Sequence, residues 1–285
     1  MGFDGNTGLC CLLGHPVAHS ISPAMHNMAF EELGLPYAYL AFDVVPEDLQ
    51  KTVDGLRAMN VLGFNLTMPH KKAIIPLLDG LEGAATLCGA VNTVVNRDGK
   101  LIGYSTDGIG YVDSLREEGL DPMGKDFVIL GAGGAAEAII AELAIIKAKS
   151  ITVFKRKNET YEKTVEYCGR VSELTGCDVK AMPMEDDEAL RAALKRADVL
   201  CNATNVGMGD DDRTLVPKEY LHKELFVSDI IYHPEMTHLL KDAKEAGCRF
   251  CNGKFMLLYQ GAAAFKIWTE KNMPVDHIKS GVFLA

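Results

Sequence analysis

Three polar residues in the first half of the chain could together carry out acid–base chemistry on a hydroxyl or carbonyl group: Lys71, Asn92 and Asp107. Lys71 ends the segment Asn65-Leu-Thr-Met-Pro-His-Lys, which begins in a strand-like run, and open α/β sheets bind ligands where their strands end. Asn92 interrupts an apolar run, where an amide is costly unless it is hydrogen-bonded. Asp107 follows another strand-like run. A lysine and an aspartate in one cleft suit this chemistry, because the carboxylate orients the amine.

Each of these residues also has a purely structural interpretation. Lys71 could be an ordinary surface lysine, and Asp107 could be the N-cap of the helix that follows it. The loop from His15 to Pro23 adds two hydroxyls, Ser20 and Ser22. For Ser22 we predict an N-cap, although paired serines can also grip a carboxylate. From the residues alone these alternatives stay open.

The elements around these residues form a small α/β domain. Short apolar runs predict strands, and apolar residues at helical spacing predict the helices between them. The strands are predicted at 9–13, 37–42, 63–67, 90–95 and 100–103, and the helices at 23–33, 47–59 and 72–78.

A second α/β domain begins at the glycine-rich turn Gly131-Ala-Gly-Gly-Ala-Ala136, between a predicted strand at 126–130 and a predicted helix at 137–144. Such a turn holds the pyrophosphate of a dinucleotide against the N-terminus of the helix. Because dinucleotide-binding folds begin at this turn, the preceding residues must form another domain. We place the change of domain within 108–115. Further elements are predicted as strands at 150–154, 199–202 and 226–229 and a last helix at 255–271.

The segment at the end of the predicted strand 150–154, Phe154-Lys-Arg-Lys-Asn-Glu159, indicates which dinucleotide binds. An NAD-specific fold usually has an acidic residue about 20 residues past the glycines, for the ribose hydroxyls. Three successive cations without that residue favour the 2′-phosphate of NADP over NAD. Two alternatives remain: Glu159 could reach the ribose, or Lys155 and Lys157 could simply point to solvent.

Composition excludes several other classes of protein. The net charge of −10 argues against general nucleic-acid binding. No apolar run is long enough to span a membrane, and no export signal is expected. Eight cysteines without such a signal are interpreted as reduced thiols of a cytoplasmic protein. Cys248-Arg-Phe-Cys251 has metal-site or redox spacing, but no second pair accompanies it, so we interpret it as a helix-to-strand turn and expect no metal.

The ordered motifs of the chain resemble the shikimate dehydrogenase family, in particular its quinate/shikimate dehydrogenase branch. The matching segments span nearly the whole chain and are specific only in combination. They are His-Ser-Ile-Ser-Pro (19–23), Asn-Leu-Thr-Met-Pro-His-Lys (65–71), Gly-Ala-Val-Asn-Thr (89–93), Ser-Thr-Asp-Gly (105–108), Gly-Ala-Gly-Gly-Ala (131–135), Asn-Ala-Thr-Asn-Val-Gly-Met (202–208), and Asn252-Gly253 leading to Met-Leu-Leu-Tyr-Gln-Gly (256–261).

The resemblance implies a role for each matching residue. It makes Lys71 the acid–base residue and Asp107 its partner. It assigns substrate binding to Ser20, Ser22, Tyr39, Thr67, Lys71, Asn92, Asp107 and Gln260. It assigns cofactor binding to Gly131, Ala132, Gly133, Gly134, Ala135, Lys155, Arg156, Lys157, Asn158, Asn205, Ile231, Tyr232 and Gly253. Two departures from the family pattern stand out: Ser105 replaces a common asparagine, and Asn158 replaces an aspartate typical of the branch.

The resemblance also implies a fold and an activity. The expected fold is α/β, with a substrate-binding domain at 1–110, a Rossmann domain at 111–253 and a C-terminal segment, 254–285, returning to the first domain. The expected activity is hydride transfer between NADP or NAD and shikimate, and also quinate, in aromatic amino acid biosynthesis or quinate metabolism. Two alternatives are a same-fold enzyme for a related ring, such as an aminoshikimate, and a non-catalytic dinucleotide sensor. Small molecules are the expected partners, and a homodimer is left open.

Overall fold

The computed structural model describes residues 2–284 and divides into two compact units. The first unit comprises Met1–Gly110 together with Leu258–Ala285, and the second comprises Tyr111–Leu257. The boundary at Gly110 lies inside the predicted range of 108–115, and the chain rejoins the first unit at Leu258, four residues after the expected 254.

The first unit is built around a mixed six-stranded sheet. Its strands are β1 (Gly8–Gly14), β2 (Tyr37–Asp43), β3 (Gly63–Leu66), β4 (Gly80–Leu81), β5 (Thr93–Arg97) and β6 (Lys100–Tyr104). Their order is β2-β1-β3-β5-β6-β4. Strand β1 pairs in parallel with β2 and β3, whereas β5 is antiparallel to both β3 and β6. The strands β5 and β6 form a tight hairpin through Asp98 and Gly99, both at positive φ, as a two-residue turn of this kind requires.

The helices of the first unit cover this sheet. They are α1 (Ser22–Glu32), α2 (Leu49–Ala58), the single turns α3 (His70–Ala73) and α4 (Ala85–Cys88), the start of α5 (Asp107–Glu117), most of α10 (Lys254–Thr269) and α11 (Val275–Ile278). The last residues of α10 dock closely on the sheet, where Trp268 Nε1 donates to the carbonyl of Val94 at 2.9 Å. Gly63 makes room for this contact, since a Cβ there would lie 2.3 Å from the indole nitrogen.

The second unit has a fully parallel sheet in a doubly wound order. Its elements are β7 (Asp126–Leu130), α6 (Gly134–Ile145), β8 (Ser150–Lys155), α7 (Tyr161–Thr175), β9 (Asp178–Pro183), α8 (Asp187–Leu194), β10 (Val199–Asn202), β11 (Phe226–Asp229), α9 (His238–Glu245) and β12 (Arg249–Cys251). The strand order β12-β11-β10-β7-β8-β9 is that of a Rossmann fold, in which ligands bind where the order reverses. This reversal lies between β7 and β10. The expected fold, including the C-terminal segment that groups with the first unit, is confirmed.

Several local predictions need correction. Ser22 is not an N-cap but the first residue of α1, after Ile21. Asn92 precedes β5, which starts at Thr93 and runs to Arg97, rather than lying inside a strand at 90–95. The helices predicted at 47–59 and 72–78 are each broken into a short 3-10 turn and a shorter α-helix. The strands β4, β9 and β12 were not predicted from the sequence.

Across residues 2–284, no helix is long and apolar enough to cross a membrane. Within the same range, no three or more histidine, cysteine, aspartate or glutamate side chains are grouped so that they could hold a metal ion. All eight cysteines are free thiols. Cys248 lies between α9 and β12, and its thiol donates to the carbonyl of His222 at 3.2 Å.

Candidate active site

Lys71 is held on the single helical turn α3. The preceding residue, His70, is fully buried, and its Nε2 donates to the carbonyl of Val44 at 2.7 Å. The carbonyl of Lys71 accepts from the N–H of Val91 at 2.8 Å. These contacts fix the main chain, so the Lys71 side chain extends from a rigid turn and not from a mobile loop.

The Lys71 ammonium meets the Asp107 carboxylate in the first unit. Lys71 Nζ lies 2.7 Å from Asp107 Oδ2, and the side chains are 27% and 13% exposed. Asp107 is the first residue of α5, where the helix dipole favours a negative charge. The structure therefore joins the two residues that the sequence assigned to acid–base chemistry, and both side chains stay partly exposed.

Asn92 supports this pair from the buried side. Its amide NH2 donates to Asp107 Oδ1 at 2.8 Å and to Thr106 Oγ1 at 2.9 Å. Its Oδ1 accepts from the backbone N–H of Thr106 at 2.7 Å. Gln260 Oε1 lies 3.3 Å from the same NH2 group, which brings α10 to the site. The amide of Asn92 is thus hydrogen-bonded on both sides, as its place in an apolar run required.

The other proposed substrate residues lie on loops and helix starts of the first unit. Ser20 Oγ accepts from the N–H of Ser22 at 3.2 Å, so Ser20, not Ser22, satisfies a donor at the start of α1. Thr67 follows β3, and its N–H donates to the carbonyl of Leu13 at 2.9 Å. A Cβ on Gly14 would lie 2.2 Å from the Thr67 methyl, so glycine is needed beside it.

Tyr39 is buried too deeply to contact a ligand in this structure. Its side chain is fully buried, and its hydroxyl donates to Asn65 Oδ1 at 2.7 Å. The ring stacks on His26 with 4.4 Å between the ring centroids. Burial raises the pKa of Tyr39 well above its usual value. In this structure Tyr39 therefore supports Asn65 and the core, and no part of it is accessible.

A cavity of about 560 Å³ occupies the point of the second unit where the strand order reverses. Gly131, after β7, has φ of +98°, and a Cβ there would lie 2.7 Å from the Thr204 methyl. At Gly133 and Gly134 no atom lies within 4 Å of a Cβ position, so the backbone is open to close approach. Helix α6 begins at Gly134 and offers its free N–H groups to an anion.

The cavity contains some of the predicted cofactor residues and lacks others. Those that line it are Gly131, Ala132, Gly133, Lys155, Arg156, Asn158 and Asn205. The predicted residues outside its lining are Gly134, Ala135, Lys157, Ile231, Tyr232 and Gly253. Sequence reasoning missed Phe154, Met184, Ala203, Thr204, Val206, Arg213 and Leu215. Of these, Arg213 adds a further cation, which forms a two-point ion pair with Asp211 at 2.8 Å.

Two buried polar side chains shape the wall of this cavity. Asn202 Oδ1 accepts from the N–H of Thr204 at 3.1 Å, and its NH2 donates to the carbonyl of Val206 at 3.1 Å. Asp229 accepts from Asn202 and from the N–H of Ile231, at 3.1 and 3.0 Å. Burial raises the pKa of Asp229. These bonds fix the loop that carries Asn205 and the start of the loop that carries Ile231.

Comparisons with known proteins match this architecture. A family model described as the shikimate dehydrogenase substrate binding domain matches residues 12–94, and one described as the shikimate 5′-dehydrogenase C-terminal domain matches 256–280. A shikimate dehydrogenase (NADP(+)) of Alkaliphilus metalliredigens is 48% identical over 279 residues, covering 97% of this chain and 96% of that protein. The chain belongs to the shikimate dehydrogenase family. Like other members, it is an NAD(P)-dependent oxidoreductase.

Solved structures show the same relationship and also its breadth. Shikimate 5-dehydrogenase of Listeria monocytogenes, crystallised with shikimate and NAD, has a TM-score of 0.95 at 47% identity and covers 98% of this chain and 97% of its own. A 5-ketofructose reductase of Gluconobacter has a TM-score of 0.86 at 35% identity, covering 97% and 98%. Quinate dehydrogenase of Corynebacterium glutamicum, with NAD, has a TM-score of 0.87 at 26% identity, covering 98% and 99%.

The residues of the second unit fit the dinucleotide that the shikimate dehydrogenase family uses. The turn at Gly131 leaves open backbone where a pyrophosphate can approach, at the N-terminus of α6. Lys155 and Arg156 line the same cavity, and no ion pair of either side chain is observed within residues 2–284. The cofactor is therefore NADP or NAD, and these cations suit a phosphate group.

Proposed function

We propose that this protein interconverts shikimate and its 3-keto product, 3-dehydroshikimate, with NADP as the preferred cofactor. The observation that carries the proposal is the ion pair of Lys71 and Asp107 at 2.7 Å, held from behind by Asn92. This arrangement provides one titratable amine with a fixed orientation beside a carboxylate. It is suited to proton transfer at a hydroxyl oxygen that becomes a ketone.

In the proposed reaction Lys71 moves one proton. When the substrate hydroxyl is oxidised, its proton passes to the neutral amine of Lys71, while hydride leaves the ring carbon. In the reverse direction the protonated amine returns that proton to the carbonyl oxygen. Asp107 Oδ2 directs the amine, and Asp107 Oδ1 stays bound to Asn92. The bound nicotinamide accepts or supplies the hydride.

The proposal places substrate recognition on the remaining polar groups of the first unit. Ser20 and Ser22 are assigned to the substrate carboxylate, since both hydroxyls lie at the start of α1. Thr67 and Gln260 are assigned to the ring hydroxyls, together with Asn92 and Asp107. We keep Tyr39 in this set only as a support for the pocket, because its hydroxyl is already used by Asn65.

The preference for NADP is proposed from charge. Lys155, Arg156 and Arg213 line the cavity together with the uncharged Asn158, and its lining contains no carboxylate within the described part of the chain. A 2′-phosphate gains from such a lining, whereas a ribose diol is usually held by an acidic residue. Among the predicted cofactor residues, Ile231, Tyr232 and Gly253 are assigned to the nicotinamide end. The shikimate dehydrogenase of Alkaliphilus metalliredigens named above is an NADP(+) enzyme, which supports this choice.

Quinate is proposed as a second, slower substrate, because a related dehydrogenase of the same fold is named for it. The decisive experiment is steady-state kinetics with shikimate and quinate, each with NADP and NAD. We expect turnover of shikimate with NADP to have the highest kcat/KM. Lys71→Met, purified in parallel, controls for contaminating host enzyme. If none of the four combinations gives turnover above that control, the proposed function is wrong. The protein is then either an enzyme for another ring alcohol, which a substrate panel would identify, or a non-catalytic dinucleotide sensor.

The assembly and location of the protein also remain proposals. A homodimer and a cytoplasmic site of action are consistent with the family. Light scattering at several protein concentrations tests the first, and cell fractionation tests the second.

A further inference from the structure

The hydroxyl of Thr93 lies directly behind the Asn92–Asp107 contact, and the proposed reaction does not use it. Thr93 is the first residue of β5 and is fully buried. Its Oγ1 lies 3.0 Å from Asn65 Nδ2, 3.1 Å from Asn92 Oδ1 and 3.1 Å from Thr106 Oγ1. A hydroxyl has a single proton, so its neighbours decide in which direction it donates.

Asn65 settles that direction. Its NH2 group donates to the main-chain carbonyl of Asn92 at 3.0 Å, and a carbonyl can only accept. Its Oδ1 consequently faces the hydroxyl of Tyr39, which donates to it at 2.7 Å. The second proton of the NH2 group points to Thr93 Oγ1. Thr93 is therefore an acceptor toward Asn65, and its own proton is left for Asn92 or Thr106.

The amide of Asn92 has only one orientation that satisfies its neighbours. The N–H of Thr106 must face the amide oxygen, and the carboxylate of Asp107 must face the amide NH2. The reversed amide would set oxygen against the carboxylate and NH2 against an N–H. A Thr93 proton directed at Asn92 Oδ1, or at the Thr106 hydroxyl beside it, strengthens the observed orientation.

We propose that Thr93 is a positioning residue for the Lys71–Asp107 pair. Its hydroxyl links the fixed amide of Asn65 to the amide of Asn92, so that Asn92 keeps its NH2 on Asp107 Oδ1 and leaves Oδ2 for Lys71. The hydrogen bonds then run in one direction from Tyr39 through Asn65, Thr93 and Asn92 to Asp107. This inference rests on the proposed function, which gives Asp107 its role in orienting the amine.

The test compares Thr93→Val, which keeps the branched shape and removes the hydroxyl, with Thr93→Ser, which keeps the hydroxyl. The loss of one buried hydrogen bond that acts on the reacting groups should lower kcat about three- to ten-fold in Thr93→Val, with KM within about two-fold. Thr93→Ser should stay close to wild type. In an Asp107→Asn background, Thr93→Val should cause little further loss of kcat, because the two changes act on one contact.

Three kinetic results would overturn the inference. They are wild-type kcat in Thr93→Val, an equal loss in Thr93→Ser, and an undiminished loss in the Asp107→Asn background. Crystal structures of both variants, determined without substrate, show directly whether Asn92 still contacts Asp107. Separation of Asn92 Nδ2 from Asp107 Oδ1 in the valine variant alone supports the inference, and an intact contact in both variants contradicts it. If the wild type turns over no substrate, the proposed function fails, and these structures still decide the role of Thr93.

Discussion

At the scale of single residues, the site depends on a contact between positions 36 residues apart, Lys71 and Asp107. Lys71 lies on one helical turn, and Asp107 begins the next long helix, α5. Neither residue is distinctive by type. What distinguishes them is what holds them in place. Asp107 Oδ1 accepts from the NH2 group of Asn92, and the carbonyl of Lys71 accepts from the N–H of Val91, the residue before Asn92.

Replacing Lys71 with methionine should remove proton transfer and little else. We expect kcat to fall by about a hundred-fold or more with KM changed by less than about three-fold, because the group acts on the reacting oxygen. The neighbouring Lys72 is exposed, so Lys72→Met is a matched control that should retain wild-type kcat. Steady-state kinetics of both variants checks this expectation. A Lys71→Met enzyme with near-wild-type kcat would show that another group transfers the proton.

Replacing Asn158 with aspartate should reverse the preference for the cofactor. The Asn158 Oδ1 accepts from the N–H and hydroxyl of Thr160, at 3.1 and 3.0 Å, and a carboxylate can keep both bonds. The added negative charge beside a 2′-phosphate should weaken NADPH binding by about ten-fold or more and leave NADH binding equal or tighter. Fluorescence titration of each reduced cofactor measures the dissociation constants. Asn158→Ala separates loss of the amide from gain of charge, and unchanged NADPH affinity in Asn158→Asp would place the 2′-phosphate elsewhere.

At the scale of elements, the turn between β7 and α6 assigns different tasks to its glycines. Gly131 needs its positive φ and its lack of a side chain, whereas a Cβ added at Gly134 would have no atom within 4 Å. Gly131→Ala should therefore destabilise the second unit by about 1–3 kcal/mol through strain and overlap with Thr204. Gly134→Ala should not, since alanine favours a helix over glycine. Thermal unfolding without cofactor tests the pair. Equal melting temperatures for the two variants would contradict this account.

The long elements were predictable from the sequence, and the short ones were not. The strands β1, β7, β8, β10 and β11 each contain a short apolar run, and the glycine turn indicated that the second half of the chain is a dinucleotide-binding unit. The strands β4 and β12 have two and three residues, too few to show a period of two. Asn92 was placed inside a strand because its neighbours are β-formers. Its actual place, one residue before β5, depends on hydrogen bonds from Leu66 and Thr106 that sequence does not reveal.

The same division holds for the site. The motif residues Lys71, Asn92 and Asp107 were predicted, and the structure brings them together. The burial of Tyr39 was not predictable, because it follows from packing against His26 and Trp268. Arg213 lies in a polar loop with no periodic pattern, so only its folded position shows that it lines the cavity.

At the scale of the whole molecule, His26 makes stability depend on pH. It is fully buried among aromatic rings, and within the described residues neither of its ring nitrogens has a hydrogen-bond partner. Burial lowers its pKa from 6.5 to about 3. In the folded state the ring therefore stays neutral while the unfolded chain takes up a proton. Stability from this residue is complete above pH 6.5 and is lost progressively as the pH falls toward 3.

Replacing His26 with phenylalanine should flatten this dependence. Between pH 7 and pH 5 the wild type should lose about 2 kcal/mol more unfolding free energy than His26→Phe. Urea unfolding followed by the fluorescence of Trp268, the single tryptophan, measures this, since its ring lies 5.2 Å from His26. His19→Phe, at an exposed histidine, is the control and should follow the wild type. A wild-type pH dependence in His26→Phe would mean that other groups cause the acid sensitivity.

The buried thiols can report which of the two units unfolds first, because a thiol reacts only when its unit opens. Cys10, Cys11 and Cys88 belong to the first unit, and the other five of the eight cysteines belong to the second. Burial raises the pKa of Cys11 and of Cys201 to about 12, so the folded protein offers an alkylating reagent almost no thiolate. Molecules caught during a brief alkylation pulse would carry three labels, five or eight. The mass spectrum of the labelled wild-type protein thus distinguishes opening of one unit from opening of both.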